Sequence, residues 1–373
     1  MKRLVVKVGS STLTTAEGLL DRPFIARLSE ALAVQRRAGI EVVLVTSGAV
    51  SAGTDRLKIE RPRSIPHKQA AAAVGQGILM GVYASCFESC GLAAAQILLT
   101  RGDVADRSRY TNARNTFQTL FRWGVVPIVN ENDSVVVDEI RFGDNDTLAA
   151  IVGLITDASL VINLSDVDGL YDPSQPGHPI IGSVSHIDNS IEALARPSTG
   201  GPGTGGMVTK LRAARILVRS GIPMMVQRGR NPDALAGAVQ RWQTFEKTGT
   251  DPGAPGTLFV PVSRRLQGRK RWIAYGMNPR GILSVNERAR DALLQEGRSL
   301  LAAGVVDASG SFRAGDLVKI VDPSGQEIGR GVVNYSLEEV RIVGGKQSED
   351  IRTLLGRETL VEVIHRDNLV MGA

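Results

Sequence analysis

What most limits the fold of this chain is the alternation, over its first two thirds, of short apolar runs with long amphipathic ones. Leu4–Val8 is a compact, β-branched run followed by Gly9-Ser10-Ser11. Pro23–Ala38 then places Phe24, Ala26, Leu28, Ala31, Leu32 and Val34 at helical spacing, and Gly39 follows, the residue type that most often ends a helix. Val42–Val45 reads as the next buried strand, and the alanine-rich Lys68–Cys90, closed by Gly91, as a long helix. Further strands are expected at Ala94–Leu99, Val125–Val129 and Leu160–Leu164, with helices over Asn112–Trp123 and Leu148–Ile155 between them. Such alternation builds βαβ units, so the expected class is α/β, a mostly parallel central sheet sandwiched by helices. Ligands of these sheets bind beyond the carboxyl ends of the strands, so the polar turns after each strand are where chemistry belongs.

The last third changes character. After Trp242 comes Gly249–Gly256 (GTDPGAPG). From Gly256 to Arg280 there are six basic residues (Arg264, Arg265, Arg269, Lys270, Arg271 and Arg280) and no acid. Shorter β-like runs follow at Gly281–Val285, Leu317–Val321, Gly331–Asn334 and Leu360–His365, with a helix expected at Glu287–Glu296. These shifts divide the chain into a first domain over 1–250, a linker over 251–275 and a small β-rich domain over 276–373.

Composition excludes several classes. With 373 residues, 43% hydrophobic and 22% charged, the chain has ample apolar material for a core, which argues against dominant disorder. Apolar stretches such as Leu92–Leu99 and Ala149–Ile155 fall short of the ~20 residues of a spanning helix. The run after Lys2-Arg3 is too short for a secretory signal. No membrane association is therefore expected, and the expected location is cytoplasmic. Cys86 and Cys90 form neither a disulfide framework nor half of a zinc site, and packing is the simpler role. The net charge of +6 suits an anionic small substrate or nucleic acid, and decides between neither.

The strand ends carry the informative motifs. Lys7 lies inside an apolar strand; its head either reaches water or meets an anion that compensates its burial. The following Gly9-Ser10-Ser11 can aim backbone N–H groups at a phosphate. Thr46-Ser47-Gly48-Ala49 reads first as a tight βα turn, and only second as a place where a ligand approaches backbone closely. Asn130-Glu131-Asn132-Asp133 caps one strand, and Gly143-Asp144-Asn145-Asp146 opens a helix. One acid is enough for a cap; two carboxylates and an amide at one turn suggest contacts to an amine or to lysines. Ser165-Asp166, with Gly169-Leu170-Tyr171, closes another strand. The flexible Pro197–Gly206 leads into the helix Met207–Ser220, so that Gly203-Thr204-Gly205-Gly206-Met207-Val208-Thr209-Lys210 sets a glycine-rich loop before a helix with a lysine in its first turn. It lacks the Walker A order, yet offers the same physics of backbone donors, helix dipole and mobile cation; phosphate contact is favoured over a disordered loop. No Ser/His/Asp set, metal-ligating His pair or G-x-G-x-x-G after the first strand stands out.

Taken in order, these motifs resemble the glutamate 5-kinases of the amino acid kinase superfamily, across about 1–245. The C-terminal part resembles a PUA domain at Gly315-Asp316, Gly331-Val332, Gly344–Leu355 and His365-Arg366-Asp367. The resemblance implies an amino acid kinase fold with a PUA-like appendage. It implies transfer of the γ-phosphoryl of ATP, carried with Mg2+, to the side-chain carboxylate of L-glutamate, the first step of proline biosynthesis. By position it implies that Lys7 and Lys210 stabilise charge on the transferring group, with Asp146 orienting them. Ser47, Asp133 and Asn145 would hold glutamate, with Asn130 and Asp144 nearby. Ser165, Asp166 and Thr204, Gly205, Gly206, Met207, Val208, Thr209 and Lys210 would hold ATP together with Lys7; no protein-held metal is expected. Proline as feedback inhibitor, hand-off to a glutamate-5-semialdehyde dehydrogenase and a homo-oligomer are further expectations. RNA binding by the PUA-like part is not expected, because aromatic residues make up only 4% and stacking platforms are scarce. A sister kinase for N-acetylglutamate or aspartate is the near rival, and a binding protein that has lost activity the distant one.

Overall fold

The structure is a computed structural model, and it describes residues 1–60, 62, 64–135, 144–195, 206–253, 256–261, 279–355 and 362–372. The chain divides into two compact units, Met1–Arg265 and Leu266–Ala373.

The first unit opens with β1 (Arg3–Val8), the short α1 (Ser10–Leu13), α2 (Arg22–Arg37) and β2 (Glu41–Val45). All six residues of β1 are buried, because helices cover both faces of the sheet. The Asp21 side chain caps α2 by accepting from Phe24 N–H at 3.0 Å. Next come α3 (Ala49–Leu57), α4 (Ile65–Ser89), β3 (Ala94–Leu99), α5 (Arg101–Ala105), α6 (Arg107–Arg122) and β4 (Val126–Glu131). The unit continues through α7 (Asn145–Thr156), β5 (Leu160–Ser165), β6 (Ser183–Val184) and α8 (Asn189–Leu194). It closes with α9 (Met207–Arg219), β7 (Met224–Arg228), α10 (Ala234–Thr248) and β8 (Thr257–Phe259).

Eight strands form one sheet in the order β3-β4-β2-β1-β5-β7-β8-β6. Neighbours from β3 to β7 run parallel, and among the described strands of this sheet only the β7–β8 pair is antiparallel. The chain therefore winds outward from β1, through β2 on one side and β5 on the other. The carboxyl ends of β1 and β5 flank the point where the winding reverses, the place such sheets bind ligands. Lys7 stands beside Val45 of β2 and Asn163 of β5 in the registers.

Two expectations need correction here. Helix α4 is 25 residues long and, by length and composition, apolar enough to cross a membrane. Its alanines and glycines run without a charged interruption from Gln69 to Phe87, a stretch longer than the apolar runs considered in the sequence. Its Leu79, Tyr83 and Phe87 are fully buried in the core of the unit, so it serves here as a core helix. The expected linker, 251–275, begins inside the first unit. Thr257–Phe259 is a sheet strand, and Asp251 pairs with the buried Arg241 at 2.7 and 2.6 Å. The basic residues Arg264, Arg265, Arg269, Lys270 and Arg271 lie outside the described residues.

The second unit contains β9 (Gly281–Val285), α11 (Glu287–Gln295), β10 (Leu300–Leu301), β11 (Val305–Gly310), β12 (Leu317–Val321) and β13 (Glu327–Val332). It ends with α12 (Leu337–Val343), α13 (Ser348–Leu355), β14 (Glu362–Ile364) and β15 (Leu369–Met371). Five strands pair in the order β11-β9-β12-β13-β15 around a separate core that includes Leu283, Ile320, Tyr335 and Val363.

Candidate active site

The site starts from a lysine that an apolar strand carries into the interior. Lys7 is 7% exposed, and its ammonium reaches Asp146 Oδ1 at 2.5 Å. Asp146, in the first turn of α7, is 1% exposed. Its other oxygen, Oδ2, lies 3.3 Å from Lys210 Nζ and accepts from Thr209 Oγ1 at 2.7 Å. Asn163 Nδ2 donates to Oδ1 at 2.8 Å. One buried carboxylate thus gathers two ammonium groups and two neutral donors. Burial pushes the Asp146 carboxyl up. The Lys7 and Lys210 charges, with the hydrogen bonds from Lys7 and Thr209, outweigh that and bring it down to about 2.

Each strand end supplies its part through local structure. Gly206 precedes α9 and has no side chain to cap it; its carbonyl accepts from Thr209 N–H at 3.1 Å, and helix starts of this kind favour anions. Thr209 and Lys210 follow in the first turn of α9. Asp144 caps α7 by accepting from Thr147 N–H at 2.7 Å. Burial and the neighbouring Asp146 charge raise the Asp144 carboxyl, against the hydrogen bonds from Thr147. Gly48, with φ of +100°, turns the chain from β2 into α3; a side chain would strain that conformation.

The candidate acceptor residues meet beside the lysines. Asn145 Nδ2 donates to the Thr46 carbonyl at 2.6 Å and to Ser47 Oγ at 2.7 Å, and lies 3.2 Å from Asn130 Oδ1. Asn130 Nδ2 donates in turn to Gln76 Oε1 of α4 at 2.9 Å. Asn130 and Glu131 are the last residues of β4 and both are buried, rather than lying in the turn beyond it. Ser47, Asn130, Asp133, Asp144 and Asn145 all line one cavity of about 820 Å³.

The remaining expected residues are placed less fully. Ser165 ends β5 and donates to Asp166 Oδ1 at 3.0 Å; Asp166 is exposed. Met207 and Val208 belong to the first turn of α9. Thr204, Gly205 and Gly143 lie outside the described residues.

Sequence reasoning missed Asn163, Gln76 and Tyr83. Asn163 was detectable: it is the polar residue inside the apolar run Val161-Ile162-Asn163-Leu164, and it stands beside Lys7 in the sheet. Tyr83, fully buried, lies with its hydroxyl 2.9 Å from Thr46 Oγ1. Nothing local in the alanine-rich helix marks Gln76 or Tyr83 as facing the site.

Residues 2–228 match the amino acid kinase family and residues 281–355 the PUA domain. Glutamate 5-kinase from Geobacter sulfurreducens is 44% identical over 375 aligned positions, covering 100% of this chain and 98% of that protein. Glutamate 5-kinase from Cyanothece sp. is 46% identical over 99% of both chains. Among solved structures, carbamate kinase from Giardia lamblia bound to AMP-PNP covers 69% of this chain and 98% of its own, at 16% identity and a TM-score of 0.48. A mostly parallel sheet flanked by helices, a separate β-rich unit, the two matched domains and full-length likeness to curated enzymes lead to one assignment: this chain belongs to the amino acid kinase family, among its glutamate 5-kinases with a C-terminal PUA domain.

Proposed function

We propose that the chain transfers the γ-phosphoryl group of ATP to the side-chain carboxylate of L-glutamate, giving L-glutamate 5-phosphate and ADP, the first step of proline biosynthesis. The observation that carries the reading is the convergence of Lys7 and Lys210 on the buried Asp146, next in sequence to Asp144 and Asn145, which line a cavity of about 820 Å³.

A carboxylate is already ionised at neutral pH and needs no general base. As the bond between the γ-phosphorus and its bridging oxygen breaks, a carboxylate oxygen forms the new bond, and the electron pair leaves with ADP. No proton moves. Both reactants are anions, so the residues must supply positive charge and alignment. Lys7 and Lys210 supply the charge, and Asp146 sets the spacing between them. Ser165, Asp166 and residues 204–210 take the nucleotide, whose phosphates bring Mg2+ and its charge neutralisation with them. Ser47, Asn130, Asp144 and Asn145 hold the acceptor. The Asp133 carboxylate suits an α-ammonium group and disfavours N-acetylglutamate, which lacks that charge.

The test is hydroxylamine trapping of the acyl phosphate with MgATP and, separately, L-glutamate, N-acetylglutamate and L-aspartate. Hydroxamate with L-glutamate alone is expected. Signal with another acid and none with glutamate contradicts the substrate; silence with all three from folded protein contradicts the reaction.

A further inference from the structure

We infer that Gln76, a residue of α4, is a positioning residue that sets the hydrogen-bond polarity of the acceptor pocket; the inference rests on the glutamate reading above.

The chain of bonds can be oriented atom by atom. The Glu131 backbone N–H can only donate, so the Asn130 atom that meets it at 2.9 Å is the carbonyl Oδ1. Asn130 Nδ2 therefore faces α4 and donates to Gln76 Oε1 at 2.9 Å. The Thr46 carbonyl can only accept, so Asn145 turns Nδ2 toward it, toward Ser47 Oγ and toward Asn130 Oδ1. Two consequences follow from the planar amide and the hydroxyl. Asn145 Oδ1 is left as an acceptor. Ser47 Oγ, already accepting from Asn145, keeps its hydrogen to donate. Both residues line the cavity. An amino acid bound there meets an acceptor suited to its ammonium group and a donor suited to a carboxylate.

Gln76 closes this chain at its outer end. Among the described residues its own Nε2 is buried without a partner, an arrangement that folded proteins avoid. Flipping the amide offers no relief, because it would set Nε2 against Asn130 Nδ2, donor against donor. The unmet donor is thus the consequence of holding Asn130 in one orientation. The helix that carries Gln76 is itself fixed to the turn that carries Ser47. At Gly75, one residue away, an added Cβ would overlap the Ala49 carbonyl at the start of α3.

Gln76→Met keeps the unbranched shape and removes the acceptor; Gln76→Leu is the second apolar variant should the first fail to fold. Gln76→Glu keeps an acceptor for Asn130. Each full-length variant is compared with the unmodified chain by hydroxamate formation, with L-glutamate and with glutarate, which lacks the α-ammonium group, as substrate or competing ligand. In the apolar variants KM for glutamate is expected to rise roughly five- to thirtyfold, the size of one lost hydrogen bond in a buried site. KM for ATP should stay within about twofold. The preference for glutamate over glutarate should fall with it, and Gln76→Glu should restore both. An unchanged KM for glutamate, an equal rise for both acids, or a Gln76→Glu variant as impaired as Gln76→Met would overturn the inference. Absence of glutamate turnover in the unmodified chain would instead overturn the functional reading beneath it.

Discussion

Asp146 faces two ammonium groups from elements some 200 residues apart in sequence, Lys7 on β1 and Lys210 on α9. A carboxyl held at about 2, against an ordinary value of 3.8, gives a signed prediction. The folded state binds the proton less readily than the unfolded chain, so the contribution to stability is fully present above about pH 4. It is lost as pH falls from about 4 through 2, and its size is about 2 kcal/mol. Denaturant unfolding of the wild type and of Asp146→Asn across that range checks this: the stability difference between them should shrink toward pH 2. A difference that stays constant with pH would show that Asp146 is not held by the lysines. Asp146→Asn should also lower turnover by about 100-fold or more, because the two lysines lose the group that spaces them.

At the scale of elements, α3 and α4 cross backbone against backbone. An added Cβ on Gly53 would overlap the Ala71 carbonyl, and one on Gly75 the Ala49 carbonyl. Gly75→Ala should therefore separate the helices, lower stability by about 1–3 kcal/mol and raise KM for glutamate while leaving that for ATP unchanged. Thermal unfolding with both KM values checks it; a variant as stable as wild type would show that the crossing yields easily. That crossing also marks how far the sequence could be read. The strands Ala94–Leu99, Gly281–Val285 and Leu317–Val321 fall where their apolar patterns place them, because a buried strand declares itself locally. Lys7, Asp146 and Lys210, singled out in the sequence, lie together; the residues alone left Lys7 reaching either water or an anion, and only the resemblance grouped the three. Gln76 and Tyr83 were not legible, because α4 is apolar nearly all round and its facing side is chosen by glycines that meet another helix. Strand β7 and helix α10 were passed over as well. Met224–Arg228 is a short run ending in polar residues, and its place in the sheet comes from pairing with β5, which no local pattern shows.

At the scale of the whole molecule, every described residue of the candidate site belongs to the first unit, Met1–Arg265. The second unit has its own core and sheet. A chain ending after Arg265 keeps β8 in the sheet and should retain catalysis, with kcat within about threefold of the full chain, less than the effect of a typical lost site contact. A soluble, folded truncation with no activity would show that residues beyond 265 help to build the site. The account as a whole depends on positive charge placed where the phosphoryl group passes. The most direct test is the rate of acyl phosphate formation by Lys210→Met at saturating MgATP and glutamate. A fall of about two to four orders of magnitude, with the unfolding transition retained, is the predicted result. Turnover within a few-fold of wild type in the folded variant would contradict the role given to Lys210, and with it the two-lysine mechanism.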